Sequence, residues 1–203
     1  MKFYNSRGPN PRLVRMFIAE KGIAIPTQEI DLRAGENRQP EHLKRNPHGQ
    51  TPALELDSGQ FVCEVLAICE YLDEINPSPP LIGTTAEERA ETRMWMRRID
   101  LNICEHLANG FRFGEGLKMF APRIVTVPEA SAGLKKIAQD RIAWLDGQIA
   151  GEDYICGKRF TLADMLLFVW LDFFATVGQP IEQSNKNVVA LYERVKQRPS
   201  AQA

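Results

Sequence analysis

Thr51-Pro52-Ala53-Leu54-Glu55-Leu56-Asp57-Ser58-Gly59-Gln60-Phe61-Val62-Cys63-Glu64-Val65-Leu66-Ala67-Ile68-Cys69-Glu70-Tyr71-Leu72 is the stretch that decides the fold. Residues 53–56 and 60–63 are short strand-like runs. Asp57-Ser58-Gly59 between them is a turn signal, so the two runs pair as a hairpin. From Glu64 the apolar spacing becomes helical, through residue 75. Working backward, residues 2–5 predict a strand and residues 13–21 a helix closed by Gly22. In that helix Leu13, Met16 and Phe17 face the core, while Arg12, Arg15, Glu20 and Lys21 face outward. Residues 28–32 predict a second strand, and the polar residues 33–49 a loop with a short helix. A strand–helix–strand start gives a parallel pair and the hairpin adds an antiparallel edge, so the first part is a small mixed sheet covered by helices.

Forward of the hairpin, Asn76-Pro77-Ser78-Pro79-Pro80 cannot continue a helix and forms a stiff linker. Residues 1–77 are read as one domain, 78–86 as the linker and 87–203 as an all-helical domain. Thr84-x-x-Glu87 fits a capping box opening a helix to about residue 113, with Met94, Ile99, Leu101 and Leu107 on buried faces. Residues 122–128, bounded by prolines, interrupt, and residues 130–149 resume. Thr161-x-x-Asp164 is a second capping box. The residues after it, 165–177, are apolar on nearly every side, as in a central buried helix. Residues 187–197 make the last helix, stopped by Arg198-Pro199.

Composition narrows the function. Of the 203 residues, 44% are apolar and 25% charged, which is globular and not disordered. Lys and Arg (25) nearly balance Asp and Glu (26), with no basic block, so nucleic acid is not an expected partner. No apolar run reaches membrane-spanning length, and the first residues carry no export signal. The expected location is therefore cytoplasmic. Cys63, Cys69, Cys104 and Cys156 lack C-x-x-C spacing and a His cluster, so no metal site or dithiol motif is expected.

Three places can carry chemistry. Thr51-Pro52, opening a strand after a polar loop, is either an ordinary trans bond or a cis peptide that turns the Thr51 backbone toward a ligand. Glu64 is either an acid favoured by the helix macrodipole, or a carboxylate that pairs a ligand ammonium while the first N–H groups grip a carboxylate. Gly8-Pro9-Asn10-Pro11-Arg12 is either a plain turn or a helix start aimed at a thiol or anion, with Tyr4, Ser6 and Asn10 as nearby donors.

In this order the pieces resemble the glutathione transferase superfamily. The resemblance rests on Gly8-Pro9-Asn10-Pro11-Arg12-Leu13-Val14-Arg15, Ala19-Glu20-Lys21-Gly22, Asn46-Pro47-His48-Gly49-Gln50-Thr51-Pro52-Ala53-Leu54, Glu64-Val65-Leu66-Ala67-Ile68-Cys69-Glu70-Tyr71-Leu72, Pro80-Leu81-Ile82-Gly83, Thr161-Leu162-Ala163-Asp164 and Arg198-Pro199-Ser200. It looks most like the bacterial and fungal branches that lack a standard catalytic residue. It implies a thioredoxin-like α/β N-terminal domain, an all-α C-terminal domain and a homodimer. It also implies glutathione as co-substrate, with no resident cofactor. By resemblance Gln50 reaches the glycine carboxylate, helped by Asn37 and His48. Thr51, before Pro52, pairs the cysteinyl backbone, and Glu64 meets the γ-glutamyl ammonium. The Thr161–Asp164 box serves folding.

Two positions depart from the family pattern. Val65 stands where a hydroxyl usually follows the glutamate, an effect of about 1 kcal/mol. Gly8 stands where a Ser, Thr or Cys usually precedes the proline, so no side chain there can hold a thiolate. Asn10 is the first candidate for that role, Ser6 the second and Tyr4 the third. The electrophile is expected between the domains, against His106, Leu107, Phe111, Arg112 and Phe113. His106 reads as a helix-packing residue before a base. The implied activity is glutathione transfer to electrophilic apolar compounds, a detoxification chemistry. The alternatives are a glutathione-dependent disulfide or peroxide reductase and a non-catalytic glutathione-binding protein.

Overall fold

Strand β1 (Lys2–Asn5) runs parallel to β2 (Thr27–Glu29) and antiparallel to β3 (Ala53–Glu55), which pairs antiparallel with β4 (Phe61–Cys63). The sheet order is β2-β1-β3-β4. This is the mixed sheet that the crossover and the hairpin dictate. The computed structural model describes all residues, 1–203, and they divide into two compact units, Met1–Ile82 with Arg198–Ala203, and Gly83–Gln197.

In the first unit, α1 (Pro9–Lys21) crosses from β1 to β2, a 3₁₀ turn (Glu36–Arg38) and α2 (Pro40–Arg45) lead to β3, and α3 (Val65–Ile75) follows β4. Side chains alternate across a strand. Tyr4, Ile30 and Ala53 cluster on one face with Leu32, Phe61 and Cys63, and Arg45 of α2 lies over the Tyr4 ring at 4.3 Å. Phe3 and Leu54 take the other face and join the fully buried Leu13, Phe17, Ile68 and Leu72 of α1 and α3.

Helix α1 starts at Pro9, four residues before the apolar periodicity suggests. Prolines in a first turn remove no hydrogen bond, because those N–H groups have no intrahelical acceptor. Lys21, expected outward, is buried. Its ammonium bonds Asp73 at 2.5 Å and the carbonyls of Asn76 and Pro79. The last residues return to this unit rather than staying with the helices after residue 87. Arg198 donates to both Glu20 oxygens at 2.7 and 2.8 Å, Ser200 donates to the same carboxylate, and Arg12 donates to the Ala201 carbonyl. Burial alone would raise the Glu20 pKa, but these donors hold it below the ordinary value.

In the second unit, α4 (Ala86–Ile99) passes through a π-helical turn (Asp100–Cys104) into α5 (Glu105–Phe113), followed by α6 (Leu117–Phe120), α7 (Ser131–Gln148), α8 (Leu162–Thr176) and α9 (Lys186–Lys196). The N-cap of α4 is Thr85, whose hydroxyl accepts from Glu88 N–H, one residue beyond the expected box. Thr84 instead bonds the Glu88 carboxylate through its N–H and hydroxyl. The π turn breaks the long helix foreseen to residue 113. Thr92, Trp95, Met96 and Ile99 form the buried face, which leaves Met94 and Leu101 exposed, while Leu107 is buried as expected. Gly110 and Gly114 let α5 sit on α7. A Cβ at Gly114 would fall 2.6 Å from Ser131 Oγ, the hydroxyl that donates to Gly110 O at 2.8 Å. Helix α8 is buried along residues 162–171, as its all-round apolar sequence requires.

Candidate functional site

Strand register assembles the site. Tyr4 pairs with Ala53, and Ala53 with Cys63. Stepping past the ladder brings Ser6, Thr51 and Val65 together at one end of the sheet. The starts of α1 and α3 open at that same end. The Gly8 N-cap has no side chain, Glu64 makes no side-chain cap, and neither first turn contains an acid. By contrast, Thr85 caps α4 and Thr161 caps α8. Two uncapped N-termini leave orphan N–H groups and partial positive charge at one place, suited to carboxylates or a thiolate.

Glu64 is the only non-glycine residue with positive φ (68°). Such backbone costs about 1–3 kcal/mol and concentrates at ligand sites. Its side chain is exposed. Gly8 also has positive φ (130°) and faces open space, with nothing within 4 Å of an added Cβ. A serine would fit there sterically but would strain the backbone.

The Thr51-Pro52 bond is cis. The loop before it is fixed from below by three buried side chains. Asn37 Nδ2 donates to Gly49 O at 2.6 Å. Asn46 Nδ2 donates to Gln50 O at 3.0 Å, and His42 Nε2 lies 2.9 Å from the same oxygen. A carbonyl only accepts, so His42 is protonated on Nε2. His42 and Asn46 escaped the sequence reading. Their spacing of four on and just past α2 was the available signal. Asn37 is 5% exposed, with its amide nitrogen spent on the loop. Gln50 and His48 are exposed. His48 is held through its backbone, N–H to Asn46 Oδ1 and carbonyl to Arg38.

The thiolate candidates separate. Tyr4 lies on the face under α2 and donates to Glu55 at 2.6 Å, away from the helix starts. Ser6 is 2% exposed, and its hydroxyl lies 2.5 Å from Thr51 Oγ1. Asn10, in the first turn of α1, is half-buried. Burial raises the pKa of all four free cysteines, Cys63, Cys69, Cys104 and Cys156. Raised pKa values leave them as thiols, poor nucleophiles at neutral pH.

On the helical unit, Leu107 is 1% exposed and serves the core. His106 Nδ1 lies 3.0 Å from Leu101 O and so donates to it. Phe111 meets Phe120 and Phe173 edge-on, Arg112 Nη1 donates to Asn109 Oδ1, and Phe113 is half-buried.

A four-stranded thioredoxin-like sheet with two open helix starts, followed by an all-helical unit, defines the class of glutathione transferase-like proteins. Residues 1–74 match the family profile described as glutathione S-transferase, N-terminal domain, and residues 128–197 match its C-terminal domain. Glutathione S-transferase 2 of Saccharomyces cerevisiae is 30% identical over 95% of this chain and 84% of its own length. The crystal structure of Gtt2 from Saccharomyces cerevisiae superposes with TM-score 0.89 at 28% identity, covering 100% of this chain and 99% of that one. A glutathione S-transferase domain-containing protein of Marinobacter aquaeolei also gives TM-score 0.89, at 31% identity over 98% and 99% of the two chains. The chain belongs to the glutathione S-transferase family. No helix is long and apolar enough to cross a membrane.

Proposed function

We propose that this protein is a glutathione transferase that adds the glutathione sulfur to electrophilic apolar compounds, a detoxification activity, working as a cytoplasmic homodimer. One observation carries the reading. Two uncapped helix starts flank Thr51, with the exposed Glu64 carboxylate beside them. Glutathione offers the complement: two carboxylates, one ammonium, a cysteinyl backbone and a thiol. Glu64 takes the ammonium, the N–H groups of Glu64 and Val65 the adjoining carboxylate, and Gln50 the glycine end. Thr51 pairs the cysteinyl backbone, with its loop braced by Asn37, His42 and Asn46. Glutathione enters as a substrate, with no resident cofactor. The electrophile packs against α5, where Phe111 and Phe113 supply apolar wall and His106 and Arg112 polar contacts.

Lowering a thiol pKa by about two units takes ~2.7 kcal/mol of thiolate stabilisation. The α1 N-terminus supplies about 0.3–1 kcal/mol, and more when partly buried. A hydrogen bond to the charged sulfur supplies about 1.5–3 kcal/mol. Asn10 is the group assigned to that bond. The variant Asn10→Ala should raise the thiol pKa of bound glutathione by about one unit, read by ultraviolet titration of the thiolate. An unchanged pKa removes Asn10 from the mechanism.

Replacing Glu64 by Gln should weaken glutathione binding about tenfold, the loss of one charge-assisted bond, measured by calorimetry. The general test is retention on a glutathione matrix, followed by turnover of an activated aryl halide and of a small disulfide. Aryl halide turnover supports the proposal. Disulfide turnover alone points to a reductase, and retention with neither activity points to a binding protein.

A further inference from the structure

We propose that Arg15 is a positioning residue for the glutathione site, acting through Ser6 on Thr51 and on the start of α1. This rests on the glutathione reading above and names a part of the machinery behind the binding surface.

Arg15 stands in the second turn of α1 and points back to the end of β1. Its Nη1 donates to Asn5 Oδ1 at 2.7 Å and to the Ser6 carbonyl at 3.2 Å. One guanidinium nitrogen carries two hydrogens, so both bonds form at once. Asn5 is 5% exposed and Ser6 2%, and the Asn5 amide in turn donates to Glu29 on β2. Burial lowers the Arg15 pKa and the Glu29 carboxylate opposes it; a guanidinium keeps its charge in proteins.

The turn Ser6–Arg7–Gly8 has no side chain of its own that caps α1. Its carbonyl at Ser6 is tied instead to the helix it launches. The same residue's hydroxyl then meets Thr51 Oγ1 at 2.5 Å. A continuous hydrogen-bonded path thus runs from Glu29 on β2 through Asn5 and Arg15 to Ser6 and Thr51, with Asn5 and Ser6 buried. It fixes the two features that the ligand needs at once: where the α1 N–H groups aim, and where Thr51 presents its backbone. Gly8 leaves that turn the most conformationally permissive part of the site, and so the most dependent on an external brace.

The variants are Arg15→Met, Arg15→Lys and Ser6→Ala. Arg15→Met is expected to weaken glutathione binding about tenfold, the loss of a hydrogen bond to a charged group, and to raise the thiol pKa of the bound tripeptide. Arg15→Lys keeps a cation with several donors and should recover part of both. Because Arg15 acts through Ser6, the double variant Arg15→Met/Ser6→Ala should cost less than the sum of the single ones. A structural role alone would lower the melting temperature and leave affinity and thiol pKa at the wild-type values, and that result overturns the proposal. Additive effects overturn the path through Ser6. If Arg15→Met does not fold, Arg15→Lys and Ser6→Ala carry the same comparison. A measurement without ligand separates this inference from the glutathione reading. Heteronuclear NMR relaxation of Gly8, Asn10 and Thr51 amides should show increased motion in the Arg15 variants. Unchanged relaxation sinks the positioning role even if glutathione binds, and increased relaxation with no glutathione binding by the wild type sinks only the ligand assignment.

Discussion

Replacing Lys21 by methionine should lower the unfolding free energy by about 3–5 kcal/mol, because it leaves a buried carboxylate without its cation. The Lys21 side chain is 0% exposed and Asp73 7%. Its three ammonium hydrogens have three acceptors: Asp73 Oδ1, Asn76 O and Pro79 O. Asp73 Oδ1 also accepts from the Leu81 N–H. One cation therefore joins the end of α1, the last turn of α3 and the proline-rich segment after it. Methionine matches the length and packs against Phe17, but it takes the donor from Asn76 O and Pro79 O and leaves the Asp73 carboxylate with the Leu81 N–H and no cation. The double variant Lys21→Met/Asp73→Leu removes both charges and should recover much of the loss. Urea titrations of the two single variants and the double one give the coupling directly. A Lys21→Met protein within 1 kcal/mol of wild type would show that the pair does not hold this unit together.

That lysine also marks where sequence reading stops. Charged residues are assigned outward because burying an unpaired charge is prohibitive, and nothing local announces a partner 52 residues away. Arg15 was placed outward for the same reason. The sheet and its hairpin were legible, because turn chemistry and strand alternation are local. The capping box at Thr161 was legible because its donor and acceptor are three residues apart. The box on α4 slipped by one because Thr84-Thr85 and Glu87-Glu88 offer the motif twice, and only geometry chooses. The π turn was invisible, since its extra residue changes no composition, while Leu101 lies outside because it follows the buried Ile99 by two residues, about 200° around the helix. At the site, Glu64, Thr51 and Gln50 were named from motif order. His42 and Asn46 were missed because they act on carbonyls, and carbonyls carry no sequence signal.

Asp164 supports a second large effect, with a pH dependence whose sign runs against the usual carboxylate. Its carboxylate accepts from Ile155 N–H at 2.8 Å, Thr161 N–H at 2.7 Å and Thr161 Oγ1 at 3.0 Å. Alanine would leave these buried donors unpaired at about 1–3 kcal/mol each, so Asp164→Ala should cost on the order of 3 kcal/mol or more. Burial is the largest influence on the group and disfavours its charge. The three hydrogen bonds oppose it and do not win, and the pKa stands at about 6 against an ordinary 3.8. Between those two values the folded chain holds a proton that the unfolded chain has released. Unfolding free energy from this group therefore falls as pH rises. Its stabilisation is full below pH 3.8 and gone above about pH 6. The Asp164→Asn protein cannot titrate there, and all other carboxylates are common to both proteins and cancel. The wild-type advantage over Asp164→Asn should consequently widen by about 1 kcal/mol on going from neutral pH to pH 5, from about 1.4 kcal/mol per pKa unit. Paired urea titrations at the two pH values measure it. An advantage that narrows toward acid would mean that the hydrogen bonds outweigh burial and that the carboxylate is held ionised in the folded protein.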